Sequence, residues 1–309
     1  MVMEAAAATA DATGVVPTFA ELVALRALAD GRRPARRGAS GVQGHALSNL
    51  RGRGMEYAES REYARGDDAR HIDWRLTART GKPHTKLFQA ERERLTLVLA
   101  DTAPALYFGT RVRFKSVQAA RAGALAAWTA ARDGDRIAAL RGSRLEAPVP
   151  PASGARGALR VLGALARWYA APPGEDAGLG VALNHASRLL RPGSRLVLLA
   201  DPASIVDVPS GRWPGLASHH EVAVVLLTDP LELAPPVARL PFRGADAAPI
   251  ELALDAATVR QRWRGEFSAR LDAAIAVLQG NGIRATALSC ADPSEAWLPL
   301  LDQPKGRLR

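Results

Sequence analysis

The chain has 309 residues, of which 48% are hydrophobic and 23% are charged, and its 41 basic and 31 acidic residues give a net charge of +10. This length suits one large domain, or one domain with an N-terminal extension, in a soluble globular protein. The longest apolar runs fall short of the ~18 residues that a membrane-spanning helix needs, and the single cysteine, Cys290, excludes an internal disulfide and a cysteine-cluster metal site. These features predict a cytoplasmic location.

The first part of the chain predicts one short helix between two irregular segments. Residues 1–17 are rich in alanine and predict a disordered lead-in, since they lack the basic start of a secretion signal. Thr18 and Glu21 have the spacing of a capping box, which begins a helix that extends to about residue 29. Its apolar face consists of Leu22, Leu25 and Leu28. Residues 31–54 combine glycine with arginine and predict a loop.

The positive charge is uneven along the chain. Residues 26–53 hold seven arginines and one acid, Asp30. Such a segment either meets an acidic partner or forms a mobile basic linker. A positive net charge also fits binding to nucleic acid, although a compositional bias towards arginine is the simpler explanation.

Residues 61–79, with the sequence REYARGDDARHIDWRLTAR, are dense in paired charges, and we call them the signature segment. Three of its carboxylates, Asp67, Asp68 and Asp73, lie within seven residues, and its arginines are Arg61, Arg65, Arg70, Arg75 and Arg79. Tyr63, Ile72 and Trp74 give the segment an apolar side, and its turn begins at Gly66. A solvated loop has no need of this much specific chemistry, so the segment is the first candidate for a functional site.

The three carboxylates of the signature segment allow three interpretations. In the structural one they cap turns and pair with Arg61, Arg70 or Arg75, since arginine and carboxylate form bidentate ion pairs. In the second the segment is a charged docking surface, and in the third the carboxylates bind a metal ion or take part in catalysis. Trp74 and Ile72 are expected to anchor the segment by packing onto the domain.

Strands and helices are predicted in alternation from residue 84 onwards. The strands are predicted at 84–93, 95–101, 136–140, 145–149, 195–201, 221–228, 250–254 and 283–289. The helices are predicted at 116–131, 155–169, 180–190, 258–278 and 293–301, the last one capped by Asp292, and residues 230–241 as a loop. From residue 95 this order predicts an open, mostly parallel α/β sheet with helices on both faces. Ligands bind beyond the carboxyl ends of such strands, where Asp101 and Asp201 are expected.

The run from Tyr63 to Trp74, Tyr-x-x-Gly-Asp-Asp-x-Arg-x-Ile-Asp-Trp, resembles the hallmark of the bacterial family called domain of unknown function 58, or DUF58. The resemblance implies that residues 95–309 form a von Willebrand factor type A-like α/β domain with a Rossmann-like sheet. It implies that residues 18–94 precede this domain as a region with the N-terminal helix, the basic loop and the signature segment. It also implies association with MoxR-type AAA+ ATPases and a role in assembling or activating other proteins.

The resemblance also brings in the cation site of type A domains, which bind a divalent cation through an Asp-x-Ser-x-Ser motif after the first strand. The matching positions are Asp101, Ala103 and Ala105, so both hydroxyl ligands are missing. Asp201 occupies the later acidic position, and two carboxylates alone make a poor site for Mg²⁺. We therefore expect no metal here, and the alternative is a weak site formed by Asp101, Asp201 and water.

These observations favour a protein that is not an enzyme and needs no cofactor. The expected partner is a MoxR-type AAA+ ATPase, a client protein, or both, with no membrane partner and nucleic acid not favoured. The residues expected to form the docking surface are Arg61, Tyr63, Gly66, Asp67, Asp68, Arg70, Ile72, Asp73, Trp74, Arg75 and Arg79. One alternative is a divalent-metal hydrolase that uses the three signature carboxylates with or without Asp101. The other is a nucleic-acid-binding protein that uses the arginines.

Overall fold

The computed structural model of the protein describes residues 14–31, 51–65, 67–89, 94–242 and 250–302. The predicted lead-in up to residue 13 and the predicted basic loop over 32–50 lie outside these residues. The chain forms two compact units, of which the smaller is residues 36–94 and the larger is residues 1–35 together with 95–309. The helices of residues 19–30 therefore group with the larger unit.

The strands of the described residues are, in chain order, β1 (Arg51–Glu62), β2 (His84–Gln89), β3 (Leu95–Ala100), β4 (Arg136–Arg141), β5 (Val149–Ser153), β6 (Arg195–Ala200), β7 (Glu221–Thr228), β8 (Arg239–Phe242), β9 (Ile250–Ala253) and β10 (Arg284–Ser289). The α-helices are α1 (Phe19–Ala24), α2 (Arg26–Asp30), α3 (Trp74–Thr80), α4 (Lys115–Arg132), α5 (Gly154–Trp168), α6 (Gly178–Leu189), α7 (Pro202–Val206), α8 (Trp213–His219), α9 (Pro230–Leu233), α10 (Ala257–Gly280) and α11 (Pro299–Asp302). Most of the predicted elements are present within a few residues of their expected bounds.

The smaller unit is a two-stranded antiparallel sheet, β1 with β2, whose connection carries a short 3-10 turn and helix α3. The strand β1 begins at Arg51, so the loop predicted over 31–54 is wrong for its last four residues. The reason is that main-chain pairing with β2 extends the strand, and the local composition of glycine and arginine does not reveal that partner.

The larger unit contains a six-stranded sheet in the order β10-β7-β6-β3-β4-β5. All neighbouring strands are parallel except β5, which is antiparallel to β4. The predicted mixed α/β class with a mostly parallel sheet is confirmed. The continuous apolar runs of β3 and β6 are buried along nearly their whole length, as expected for strands that are covered on both faces.

Alternate residues of the central strands supply two separate cores, one on each face of the sheet. On one face Val98 and Val197 pack with α4 and α5, and α1 and α2 add Leu22 and Ala29 to the same cluster. On the other face residues such as Leu97 and Leu198 pack with α6 and the C-terminal half of α10. This alternation follows from the two-residue period of a strand. The polar groups described below lie where these strands end, at the carboxyl edge of the sheet.

The N-terminal helix differs from its prediction in two ways. It is interrupted at Leu25, which separates α1 from α2, and Leu28 is 41% exposed although it was placed on the apolar face. Thr18 caps α1 by accepting a hydrogen bond from the Glu21 main-chain N–H at 3.2 Å. The Glu21 carboxylate pairs instead with Arg121 of α4, which ties the helix to the core.

Three further elements correct the predictions. The edge strand expected at 145–149 is β5, and it includes Pro150 and Pro151, which an edge strand tolerates because one side of its main chain needs no partner. The segment 230–241, expected as a loop, contains α9 and the start of β8. The helix expected at 293–301 is limited to α11, because Asp292 accepts a hydrogen bond from the Ser289 N–H at 2.9 Å and does not begin a helix.

Candidate functional site

Asp67 closes the first turn of the signature segment. Its Oδ1 lies 2.6 Å from Nη2 of Arg61, and its Oδ2 accepts a hydrogen bond from the Ala64 N–H at 2.9 Å. The Tyr63 hydroxyl donates to the Asp67 main-chain oxygen at 3.0 Å. The hydrogen bond from Ala64 and the guanidinium of Arg61 lower the pKa of Asp67 below its usual value. The predicted pair with Arg61 is thus confirmed, while Gly66 lies outside the described residues.

The other two carboxylates cap the elements that follow them. Asp68 accepts from the Arg70 N–H at 3.0 Å and begins the 3-10 turn. Asp73 accepts from the Leu76 N–H at 3.1 Å and begins α3, while its second oxygen accepts from the Ser60 hydroxyl at 3.0 Å. The hydrogen bond from Leu76 is the main reason that the pKa of Asp73 is lowered. Both carboxylates act here as N-caps, in the way the structural interpretation expects.

Helix α3 and its N-cap are held to the first residue of β2 by two hydrogen bonds. The Asp73 N–H donates to the His84 oxygen at 2.7 Å, and the His84 N–H donates to the Thr77 hydroxyl at 3.1 Å. Gly81 ends the helix with a φ of 71°, a left-handed conformation that suits glycine. These contacts fix the position of α3 on the small sheet.

The outward side of α3 carries an aromatic residue and two arginines. Trp74 is 70% exposed, and Arg75 and Arg79 are also exposed, whereas Leu76 and Thr77 are half-buried. Trp74 therefore does not pack against the sheet of its own unit, and its predicted role as an anchor onto residues 95–309 stays a prediction. Asp73 caps α3 so that Trp74 is its first residue, and the half-buried side of the helix is the one that carries Leu76 and Thr77. Ile72 is half-buried and forms a β-bridge with Thr85.

A second polar cluster lies at the carboxyl edge of the large sheet. Asp101 follows β3 and Asp201 follows β6, and these neighbouring parallel strands bring them together as predicted. The Asp101 carboxylate accepts from the Asp201 N–H and from the Ala103 N–H, each at 3.0 Å. Burial raises the pKa of Asp101 to about 6.

Lys115 and Glu232 complete this cluster, and the sequence reasoning missed both. The Lys115 Nζ lies 2.7 Å from Oδ2 of Asp201 and 2.5 Å from Oε1 of Glu232, and all three side chains are buried. Burial alone would lower the pKa of Lys115, but the two carboxylates outweigh it and raise the pKa above its usual value. Asp229 and Glu232 form a capping box at the start of α9, and their Asp-x-x-Glu spacing was a signal that could have found Glu232.

The donor set at this edge does not fit a divalent cation. Ala103 and Ala105 offer no side-chain oxygen, and both oxygens of Asp101 accept main-chain N–H groups. The oxygens of Asp201 accept from the Ala203 N–H and from Lys115. A metal would have to displace an ammonium group and several hydrogen bonds at once. Within the described part of the chain, no group of three or more His, Cys, Asp or Glu residues is placed to hold a metal ion.

Solved structures that this chain is similar to share little sequence with it. One is the conserved hypothetical protein BatB from Bacteroides thetaiotaomicron, with 12% identity, a TM-score of 0.41, and coverage of 67% of this chain and 95% of that one. Another is an aerotolerance-related membrane protein from Bacteroides fragilis, with 13% identity, a TM-score of 0.39, and coverage of 67% and 96%.

A third solved structure is an uncharacterized membrane spanning protein from Vibrio fischeri, with 13% identity, a TM-score of 0.20, and coverage of 68% of this chain and 96% of that one. The membrane descriptions of the second and third proteins contradict the cytoplasmic location predicted from the sequence, and that prediction is withdrawn. In the residues that the structure describes, none of the helices combines the length and the apolar character needed to cross a bilayer.

Curated relatives match over a longer and more similar stretch. An uncharacterized protein of Mycobacterium bovis is 30% identical over 241 residues, which cover 75% of this chain and 74% of that protein, and two proteins of Mycobacterium tuberculosis match to the same extent. Residues 59–277, which include the whole signature segment and most of the large sheet, match the model of the family described as protein of unknown function DUF58. This chain therefore belongs to the DUF58 family.

Proposed function

We propose that this protein is a non-catalytic interaction factor that acts with a MoxR-type AAA+ ATPase in the maturation or activation of a client protein. One observation carries the proposal: the signature carboxylates hold their own segment in shape while α3 presents Trp74, Arg75 and Arg79 to solvent. Because the carboxylates hold the segment in shape, the exposed residues beside them keep a fixed arrangement. A fixed arrangement lowers the entropic cost of binding and so favours docking.

Within this proposal the larger unit is a von Willebrand factor type A-like domain. Its support is an open, mostly parallel sheet with a core on each face and acidic residues at the carboxyl ends of two neighbouring strands. Lys115 supplies the positive charge between Asp201 and Glu232, so the proposal assigns no metal to this edge.

The metal-hydrolase alternative loses its support in the geometry of the signature segment. Both carboxylate oxygens of Asp67 and of Asp73 accept hydrogen bonds from the signature segment or from the adjoining Ser60. A catalytic role would require these oxygens to leave the caps that form the turn and α3.

Binding of the full chain to a MoxR-type ATPase tests the proposal. We expect saturable binding by calorimetry, and loss of binding in the double variant Asp68→Ala, Arg75→Ala with an unchanged circular dichroism spectrum. Arg262→Ala is the matched control, because Arg262 is an exposed arginine on α10 of the larger unit. A wild-type chain that shows no binding, with and without ATP, would overturn the proposed function.

A further inference from the structure

We infer that the outward face of α3 is a docking surface for an acidic protein segment that carries an apolar side chain. The inference rests on the proposed function and narrows it, since it names the chemistry of the partner at this surface. We call the surface formed by Trp74, Arg75, Ala78 and Arg79 the α3 face.

The first step is the direction of the side chains. Successive residues of an α-helix are about 100° apart, which places Trp74, Ala78, Arg75 and Arg79 along one side of α3. All four are exposed, and Leu76 and Thr77 on the other side are half-buried. A tryptophan that is 70% exposed on the solvent side of a helix is unusual, because indole burial contributes strongly to packing. Its position fits burial against a partner.

The second step is the rigidity of the α3 face. Asp73 caps the helix at its start, Gly81 ends it, and the hydrogen bond between the His84 N–H and the Thr77 hydroxyl holds its inner side. A surface that is already ordered loses little conformational entropy when a partner binds. The α3 face is therefore prepared for docking without a folding step.

The third step is the charge. Residues 74–80 contain two arginines and no acid, and Arg70 is exposed on the preceding turn. Asp73 keeps its charge but directs its oxygens to the Leu76 N–H and the Ser60 hydroxyl, so the charged groups that the α3 face itself presents are those of Arg75 and Arg79. Complementary charge steers association and selects among partners, which points to carboxylates on the other side.

The fourth step distinguishes a protein from a nucleic acid. Tryptophan and arginine are the residues most enriched among those that dominate protein–protein affinity. Single-stranded nucleic acid is bound by successive aromatic platforms along a basic groove. The α3 face offers one tryptophan and two arginines on a single short helix, which suits one apolar side chain flanked by acids.

The test uses the full-length protein and two defined probes. One is the MoxR-type ATPase, and the other is a short, fluorescently labelled peptide in which each leucine is flanked by glutamates. Trp74→Ala is expected to weaken binding by about tenfold or more, as for a residue that dominates an interface. The double variant Arg75→Glu, Arg79→Glu is expected to do the same and to gain binding to a matched peptide with lysine in place of glutamate.

Two control variants remove similar groups elsewhere. Leu145→Ala truncates an exposed apolar side chain in the larger unit, and Arg262→Glu reverses an exposed charge on α10. Both are expected to leave affinity for either probe within about twofold, since surface residues outside an interface contribute little. Equal losses in the controls and in the α3 variants would overturn the inference.

The outcomes separate this inference from the proposed function. If the ATPase does not bind but the peptide pattern holds, the proposed function is wrong and the surface stands. If the ATPase binds wild type and Trp74→Ala equally and the acidic peptide does not distinguish them, the proposed function stands and the surface is overturned.

Three other results would also overturn the inference. A thermal midpoint that falls by several degrees in Trp74→Ala would mean that the side chain is packed within the folded protein. A wild-type dimer that Trp74→Ala converts to a monomer would make the occupant a second copy of this chain. Binding to single-stranded DNA that matches or exceeds binding to the acidic peptide would make the surface a nucleic-acid site.

Discussion

Lys115 is one of four lysines in a chain that otherwise uses arginine as its cation, and it lies buried between the carboxylates of Asp201 and Glu232. An ammonium group is compact enough to fit between two acids at the end of a sheet, whereas a planar guanidinium needs more room. The acids around it are themselves used as caps, since Asp201 begins α7 and Glu232 completes the capping box of α9. One side chain thus joins the starts of three helices at the sheet edge.

Replacing Lys115 by methionine is expected to be strongly destabilising. The substitution keeps much of the volume and leaves two buried carboxylates without their cation, a change that typically costs about 3–5 kcal/mol. Urea unfolding measures the loss. Lys82→Met is the control, because Lys82 forms an exposed pair with Glu62, and pairs of that kind contribute only about 0–1 kcal/mol. Similar losses for the two variants would contradict a special role for Lys115.

The contribution of Asp101 to stability is expected to decrease as the pH rises. Burial raises its pKa from 3.8 to about 6, so between these values the folded protein holds a proton that the unfolded chain releases. Through this group the free energy of unfolding falls as the pH is raised across that window. Asp101→Asn removes the titration and should flatten this part of the profile, whereas Asp272→Asn, at an exposed position on α10, should leave it unchanged. An unaltered slope in Asp101→Asn would contradict the assignment.

Helix α3 shows how an element too short to be stable alone is held in place. Seven residues cannot form a stable isolated helix, so its existence depends on its caps and on the sheet beneath it. Asp73 performs two tasks, since one oxygen caps the helix and the other accepts from Ser60 at the end of β1. The Asp73 carboxylate therefore stabilises α3, and the charged side chains that α3 exposes to solvent are those of Arg75 and Arg79.

Asp73→Ala is expected to destabilise α3 through the loss of its N-cap. Amide hydrogen exchange over residues 76–80 measures this, and exchange should become faster in the variant. Because the pKa of Asp73 is lowered in the folded protein, its contribution to stability depends on pH. The stabilisation is present above the usual aspartate pKa of 3.8 and is lost as the pH falls through the lower folded value. Arg79→Ala, which leaves the cap intact, should exchange like the wild type. Unchanged protection in Asp73→Ala would mean that the cap is not needed.

At the scale of the whole molecule, the larger unit places its acidic residues where a parallel sheet collects the ends of its strands. At one edge of that sheet, β5 carries two prolines, which limit pairing with a further strand. The chemistry of the carboxyl edge is satisfied from within, by one lysine and by main-chain N–H groups. The fold therefore has no structural need for a metal at this position.

Thermal unfolding is expected to be insensitive to divalent cations. A ligand that binds only the folded state at 100 times its dissociation constant would stabilise it by about 2.7 kcal/mol, and the occupied oxygens of Asp101 and Asp201 leave no such site. The midpoint should be the same in millimolar Mg²⁺ and in millimolar chelator. A midpoint that rises with Mg²⁺ and falls with chelator would show that the cluster binds metal.

Local pattern alone determined much of this fold. The runs LTLVLA and RLVLLA are buried strands because continuous apolar residues suit a sheet covered on both sides, and the acids that follow them were placed at its edge. The DUF58 hallmark was visible as a string of residues, and it identified the family. What local pattern could not show is a strand that depends on a distant partner, which is why β1 was not predicted.

Only the tertiary structure decided what the two polar clusters do. Lys115 meets Asp201 and Glu232 across 86 and 117 positions of the chain, and no spacing rule links residues so far apart. The direction of Trp74 depends on helix α3, which the local pattern did not predict and whose inner side is set by its contacts with the small sheet. The sequence thus determined which residues are present at each site, and the packing determined which of them are used internally and which are left for a partner.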